Sequence, residues 1–110
     1  MAGIPQADLR VTVWPEGQQG PKHFWTLQCA PAGGTLPSAA EACSRLGRFT
    51  TTPFAPVPTD RACTEIYSGR QEALVVGTFR GRRVWARFNR RDGCQTARWN
   101  RLAFLFVASA

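Results

Sequence analysis

The sequence has no apolar run that approaches the roughly 20 residues of a membrane-spanning helix. Its opening stretch, MAGIPQADLR, also lacks the basic start and apolar segment that mark a signal peptide, so export would require a signal that has been removed. With 110 residues, the chain is long enough for one domain with a modest core. We therefore treat residues 1–110 as a single domain and expect its segment 1–8 to be flexible.

Histidine and the residue patterns of common enzymes are nearly missing. His23, the one histidine, lies in a run of strand-forming residues without a nucleophile signature nearby, whereas a hydrolytic triad needs a base that a carboxylate orients. The patterns GxSxG and GxxxxGK and a carboxylate pair at a useful spacing are absent as well. These absences predict a protein that is not an enzyme and that uses no cofactor.

Cysteine is present in an even number but not in metal-binding spacing. Cys29, Cys43, Cys63 and Cys94 contain no CxxC pair, and His23 alone cannot complete a zinc site with them. Disulfides are the better interpretation, because a small domain with a small core needs covalent cross-links. Two disulfides indicate an oxidising compartment, so we predict a secreted, extracellular protein without a bound metal.

Acidic residues are scarce, with seven Asp and Glu against 14 Lys and Arg and a formal net charge of +7. A positive surface attracts anionic partners, and arginines interleaved with aromatic rings can bind phosphates and stack bases. An alternative function is therefore a basic domain that binds polyanions or nucleic acid through an Arg/aromatic face. Strand alternation assigns part of these rings to the core, so nucleic acid is not the favoured partner. The residues concerned are Arg80, Arg82, Arg83, Arg87, Arg90, Arg91, Arg98 and Arg101 with Phe79, Trp85, Phe88 and Trp99.

Hydrophobic patterns predict several strands. Residues 8–14 alternate between apolar and polar, and residues 23–29 are rich in β-formers. Residues 73–90 indicate two strands around a turn at Arg80–Gly81, and the apolar run 102–108 suggests a central, well buried strand. About five strands and one clear helix predict an α+β domain with a mainly antiparallel sheet and helix on one side.

The one clear helix precedes Gly47, which is a typical stop signal. Ala39, Cys43 and Leu46 fall at i, i+4 and i+7 and so share one face of this helix. If that face points inward, Cys43 can reach Cys29 at the end of the second strand. The sequence thus allows a disulfide across this short loop.

Three motifs occur in a recognisable order: CAPAGGTLPSAAEAC at 29–43, CTEIY at 63–67, and GTFRGRRVWARF at 77–88 followed by a cysteine. With four cysteines at matching places, the chain resembles the Streptomyces subtilisin inhibitor family from about Leu9 to Phe106. The resemblance implies a secreted inhibitor that binds serine proteases like a substrate. The implied fold is α+β, a five-stranded antiparallel sheet with two helices packed on one side and two disulfides.

The resemblance also implies the site. It pairs Cys29 with Cys43 and Cys63 with Cys94, and the second disulfide anchors the reactive loop. The bond offered to the protease is Glu65–Ile66, so Glu65 is the P1 residue, whose side chain enters the S1 pocket of the protease. The loop expected to contact the protease comprises Arg61, Ala62, Cys63, Thr64, Glu65, Ile66 and Tyr67.

Glutamate at P1 departs from the family, which more often offers Met, Lys or Arg there. Trypsin-like proteases, whose S1 pocket carries an acid, should therefore be inhibited poorly by Glu65. The expected partners are subtilisin-like proteases, with Ala62 at P4, or a glutamate-preferring serine protease. The plain alternative is a surface glutamate paired with Arg61 or Arg70.

Two further positions depart from the family pattern. Asp92 stands where an asparagine braces the reactive loop, with Asn89 as a second candidate for that support. Family members form homodimers through the outer sheet face, where this chain places Arg10. Two copies of Arg10 facing each other across a two-fold axis would repel, although a homodimer stays an expectation of the resemblance.

Overall fold

The computed structural model describes residues 5–107 as an α+β fold with one sheet of four strands in the order β2-β1-β3-β4. All neighbouring strands pair antiparallel. The strands are β1 (Ala7–Trp14), β2 (His23–Cys29), β3 (Glu72–Phe79) and β4 (Arg82–Asn89). The helices are α1 (Ala39–Leu46) and α2 (Gly93–Arg101), with a 3-10 turn at Ala103–Leu105.

The core lies on one face of the sheet. Along β1, Leu9, Val11 and Val13 are buried, whereas Arg10 between them is exposed. The register places Val75 of β3 beside Val11, so the buried positions of neighbouring strands form a continuous surface. Side chains of both helices belong to the same buried cluster. The prediction of an α+β domain with two helices on one side of the sheet is therefore confirmed.

Helix α1 has the predicted place and inward face. Cys43 and Leu46 are fully buried, Ala39 packs against the core, and Gly47 is the C-cap. Cys43 forms a disulfide with Cys29, with 5.6 Å between their Cα atoms. This cross-link joins α1 to the end of β2.

The hairpin of β3 and β4 turns at Arg80 and Gly81, as the sequence predicts. Both residues have positive φ, 51° and 79°, which a two-residue turn of type I′ requires. Glycine adopts such values freely, and Arg80 is held by contacts of its guanidinium. Its nitrogens donate to the carbonyl oxygens of Phe49 at 2.8 Å and Gly47 at 3.4 Å, so this arginine ties the hairpin tip to the segment after α1.

The predicted fifth strand at 102–108 is wrong in the part that the structure describes, and the sheet has four strands rather than five. The buried side chains of this run are Leu102, Leu105 and Phe106. Spacings of three and four suit helical turns rather than the alternation of a strand. Phe106 packs on Phe88 with ring centroids 5.0 Å apart, so the run closes the core beside α2. Its last residue lies outside the described residues.

The N-terminal boundary also differs from the expectation. Ala7 and Asp8, assigned to the flexible segment 1–8, are the first residues of β1. Residues 1–4 lie outside the described part of the chain. Between residues 5 and 107, no helix is long and apolar enough to cross a membrane.

Candidate functional site

The segment 61–67 is an exposed loop between the strap, which we define as residues 53–58, and β3. Ile66 and Tyr67 expose 65% and 58% of their surface, which is unusual for two adjacent large side chains of this kind. Glu65 is exposed as well. The loop therefore presents an acid and two large, largely apolar side chains to solvent at consecutive positions.

The second disulfide fastens this loop to α2. Cys63 and Cys94 are bonded, with 5.4 Å between their Cα atoms, as the family resemblance implies. The bond closes a separation of 31 residues, and on the chain-entropy model it stabilises the fold by about 4 kcal/mol. Together with Cys29–Cys43 it leaves no free cysteine in the described residues.

Two backbone hydrogen bonds hold the loop on either side of the Glu65–Ile66 bond. On one side, the Gly93 amide donates to the carbonyl oxygen of Thr64 at 2.8 Å. On the other, the Ser68 amide donates to the carbonyl oxygen of Arg90 at 2.8 Å. Arg90 lies in the connection between β4 and α2, and Gly93 is the first residue of α2. One short piece of backbone therefore brackets the peptide bond from both directions.

Helix α2 begins against the loop. Asp92 is its N-cap, and the carboxylate accepts a hydrogen bond from the Gln95 amide at 2.8 Å. The first amide groups of a helix have no intrahelical partner, and the one of Gly93 is satisfied by Thr64. A Cβ atom at Gly93 would overlap the Thr64 hydroxyl oxygen, so glycine permits this close approach.

The two residues predicted to brace the loop flank the connection from β4 to α2: Asn89 is the last residue of β4, and Asp92 is the N-cap of α2. Besides the cap formed by Asp92, the Asn89 side-chain oxygen accepts from the Arg91 amide at 3.0 Å and shapes the turn out of β4. Among residues 5–107, neither side chain hydrogen-bonds to the 61–67 loop directly. The direct contacts are backbone bonds, which sequence patterns do not reveal. The one sequence feature that could have indicated a close backbone contact here is Gly93, immediately before Cys94.

Glu65 is not paired with a neighbouring arginine. The ion pairs between described residues involve Glu41 and Glu72, and neither Arg61 nor Arg70 contacts Glu65 within ion-pair distance. The Glu65 carboxylate is therefore free to meet a partner.

One group of potential metal ligands occurs in the described part of the chain. The sulfurs of Cys63 and Cys94 and a carboxylate oxygen of Asp92 lie within 4.8 Å of one another. The two sulfurs are bonded to each other, whereas a metal binds the thiolate form of cysteine. The group is therefore a disulfide beside a helix-capping carboxylate, and it offers no metal site.

The arginines and aromatic residues of the C-terminal half do not form one surface. Phe88 and Trp99 belong to the core, and Arg98 is buried. Trp85 is 62% exposed, with the Arg87 guanidinium 5.0 Å from its ring centroid. The predicted Arg/aromatic face is thus split between structural residues and a smaller exposed set.

Three exposed members of that set, Arg83, Trp85 and Arg87, lie on the outer sheet face, the side of the sheet opposite the core. Arg10 sits there between its register partners Thr26 and Val76, and Val76 is in turn paired with Trp85. Phe24 on β2 is 53% exposed. The outer sheet face therefore combines a central positive charge with large apolar side chains.

A protein-family model described as "SSI: Subtilisin inhibitor-like" matches residues 6–90. No curated protein matches the chain. The matched region contains all four strands, the first disulfide and the 61–67 loop, and it ends before Asp92 and Cys94. Helix α2, which fastens the loop, lies beyond the matched region.

Proposed function

The chain belongs to the subtilisin inhibitor-like family, whose members inhibit serine proteases and are not enzymes, and from this we propose that the 61–67 loop is the reactive site of a substrate-like inhibitor. Its reactive bond is Glu65–Ile66, with Glu65 as P1. The loop residues Arg61 to Tyr67 contact the protease, and Asp92 and Asn89 support the loop through the connection that they shape.

The observation that carries the proposal is the fastening of the loop on both sides of the reactive bond. Cys63 is fixed by its disulfide, Thr64 by the Gly93 amide, and Ser68 by the Arg90 carbonyl. Fixing the backbone of one residue costs about 1–2 kcal/mol of conformational entropy. Because the folded loop has already lost this freedom, docking as an extended strand costs less, and the difference becomes affinity.

The same fastening explains inhibition rather than digestion. The protease serine attacks the carbonyl carbon of Glu65, the bond to the Ile66 nitrogen breaks, and an acyl-enzyme forms with a free amino group on Ile66. In an ordinary substrate this amine diffuses away. Here the bonds of Ser68 and Cys63 keep it near the acyl group, so its return attack restores the peptide bond and releases the serine. Resynthesis competes with hydrolysis, and turnover is slow.

Specificity in this proposal follows from the exposed P1 carboxylate. An S1 pocket with basic or hydroxyl groups can replace the water that Glu65 loses on docking, whereas the acid in a trypsin-like pocket repels it. Subtilisin-like proteases contact several residues of a bound substrate, and in this chain the P4 residue would be Ala62. Subtilisin-like and glutamate-preferring serine proteases are therefore the proposed targets, with about 1,600 Å² of total interface, as is common for such complexes.

An extracellular location and a homodimer complete the proposal. The two disulfides and the family support secretion. The exposed rings of Phe24 and Trp85 on the outer sheet face support a dimer through that face, against the charge of Arg10 at its centre.

Titration of two proteases tests the reactive site. We expect residual activity of subtilisin, of a glutamate-specific serine protease, or of both to fall towards zero near a one-to-one ratio. Mass spectrometry of the complex after long incubation should find a small fraction of chain cut after Glu65.

Trypsin is the control in this titration, because it is a serine protease with an acidic S1 pocket and should stay active. Two results would contradict the proposal. One is full activity of both target proteases at excess inhibitor, and the other is a first cut at a bond other than Glu65–Ile66.

A further inference from the structure

Arg98 is the one charged side chain that is buried among the described residues, with 6% of its surface exposed. It lies on α2 one turn after Cys94, which ties that helix to the 61–67 loop. Burial lowers the pKa of its guanidinium below the usual value, and the nearby charge of Arg101 lowers it further. A buried charge costs free energy unless it is well hydrogen-bonded, so its position needs a reason.

The guanidinium of Arg98 joins α2 to two other parts of the chain. Nε donates to the carbonyl oxygen of Ala55 at 2.9 Å, and Nη2 donates to that of Phe54 at 3.2 Å, both in the strap. Nη1 donates to the carbonyl oxygen of Arg87 in β4, and the guanidinium lies 4.0 Å from the ring centroid of Phe88. One side chain thus connects helix, strap and sheet.

The carbonyl groups of the strap need hydrogen-bond donors from other parts of the chain. The strap sequence PFAPVP contains three prolines, which have no amide proton and prevent the strap from pairing as an ordinary strand. The carbonyl groups of Phe54 and Ala55 instead meet a guanidinium, whose planar fork places several donors at fixed angles. A lysine ammonium donates from a single point and would reach fewer of them.

A groove of about 530 Å³ lies between the strap and α2, and Pro56, Cys63 and Ala97 are among its lining residues. The hydrogen bonds between described residues of the strap and α2 are those that Arg98 donates, while Phe54 and Trp99 connect the two elements through the core.

We propose that Arg98 is a positioning residue that locks α2 to the strap and thereby holds the reactive loop in its inhibitory shape. The loop enters from the strap, and α2 fastens it at Cys63 and Thr64. With Arg98 in place, the entry of the loop and its fastening point move as one unit. Without it, the helix shifts relative to the strap: the disulfide to Cys63 remains, and the hydrogen bond from Gly93 to Thr64 opens more often. The effect on inhibition rests on the function proposed above, whereas the positioning itself does not.

The first experiment measures cleavage of the reactive bond. Arg98→Met keeps the length of the side chain without its donors, and Arg98→Lys keeps the charge. Leu46→Ala in α1 is the control, since it removes buried volume far from the loop in sequence and on the other helix. Each variant is mixed with subtilisin well below its Tm, and mass spectrometry follows the cut after Glu65. We expect Arg98→Met to be cut about tenfold faster than wild type or more, Arg98→Lys at an intermediate rate, and Leu46→Ala at the wild-type rate despite its lower Tm.

The second experiment needs no protease. Amide hydrogen exchange at Gly93 and Ser68 reports how often their bonds to Thr64 and Arg90 open. We expect Arg98→Met to exchange about tenfold faster at Gly93 than Leu46→Ala when the two are compared at equal distance below Tm.

These outcomes separate the inference from the proposed function. Equal cleavage and equal exchange in Arg98→Met and Leu46→Ala would reduce Arg98 to a contribution to global stability and overturn the inference. If the wild type inhibits no serine protease but Arg98→Met still accelerates exchange at Gly93, the proposed function fails and the positioning role stands. Arg98→Lys carries both tests if Arg98→Met does not fold.

Discussion

At the scale of single residues, Glu65 is the side chain on which target choice depends in the proposed function. It is exposed and makes no ion pair with a described residue, so its carboxylate is hydrated in the free protein. Docking removes that water, and only a pocket with compensating donors can accept the charge without a large cost. Under the proposed function, this one residue should therefore select among proteases that could otherwise all fit the same loop.

Changing the charge of this residue should change the target. Glu65→Lys should inhibit trypsin, because the lysine replaces a repulsion in the trypsin S1 pocket by an ion pair. Central interface residues of this kind contribute several kcal/mol, so we expect the inhibition constant for trypsin to fall roughly 100- to 1,000-fold. Trypsin activity during titration with the variant measures this.

Glu41→Lys is the matched control. Glu41 is exposed on α1, where the same change in charge leaves the loop untouched. Inhibition of trypsin by both variants alike would point to general electrostatic attraction, and its absence in Glu65→Lys would show that the reactive bond lies elsewhere.

At the scale of secondary structure, the strands are predictable from the sequence and α2 is not. Strands β1 and β4 pack one face on the core, which produces the period of two that the sequence displays. In α2 the inward position next to Trp99 is occupied by Arg98, a residue type that normally indicates a solvated face. The apolar run that follows then resembles a strand, although Leu102 and Leu105 have helical spacing.

The candidate site shows the same division. The disulfide pairing of Cys63 with Cys94 follows from the family resemblance, and the structure contains it, whereas the reactive loop residues stay a prediction. The hydrogen bonds of Gly93 and Ser68 are not predictable from the motifs, because they depend on where α2 begins relative to the loop. Backbone groups are alike at every residue, so only the tertiary arrangement distinguishes these two amides.

Removing the disulfide between loop and helix should convert the inhibitor into a substrate. The double variant Cys63→Ser/Cys94→Ser loses about 4 kcal/mol of unfolding free energy on the chain-entropy model and frees the loop before the reactive bond. We expect subtilisin to cut this variant at Glu65–Ile66 within the time in which wild type stays intact. Denaturant unfolding and a cleavage time course measure the two effects.

The other disulfide provides the control. Cys29→Ser/Cys43→Ser closes a shorter separation of 14 residues, costs about 3 kcal/mol, and joins β2 to α1 rather than to the loop. This variant should resist cleavage like wild type at temperatures where it is folded. Equally rapid cleavage of both variants would mean that overall stability, not local fastening, protects the bond.

At the scale of the whole molecule, charge and the outer sheet face should govern the proposed self-association. The net charge of +7 opposes contact between copies, and Arg10 lies at the centre of the face that a dimer would use. Around it, Phe24 and Trp85 offer apolar surface. Apolar attraction and charge repulsion act on the same surface, and salt screens only the repulsion. The dimer Kd should therefore depend on salt concentration.

Replacing the central charge should strengthen the dimer. In Arg10→Val, two like charges no longer face each other, and charges about 4 Å apart repel by about 1 kcal/mol in water and more where water is excluded. We expect the dimer Kd from sedimentation equilibrium to fall about fivefold or more, with a weaker salt dependence.

Arg82→Val is the control for this prediction. It removes the same charge at the exposed start of β4. The alternation along β4 places this position on the side of the sheet that packs on the core, not on the outer sheet face. An equal effect of both variants would assign the change to net charge, and a purely monomeric Arg10→Val would exclude the outer sheet face as a dimer surface.

The order of the strands has a consequence for the cut molecule. The Glu65–Ile66 bond separates β1, β2 and α1 from β3, β4 and α2, and the central pairing of β1 with β3, from Ala7 to Trp14, spans the division. Each half retains a complete hairpin and a helix, and the sulfur bridge Cys63–Cys94 crosses between the halves. The two halves are thus complementary parts of one sheet, joined by strand pairing and by a disulfide as well as by the peptide bond. We therefore expect a chain nicked at this bond to remain one folded body, so that in the proposed mechanism its ends can rejoin without refolding.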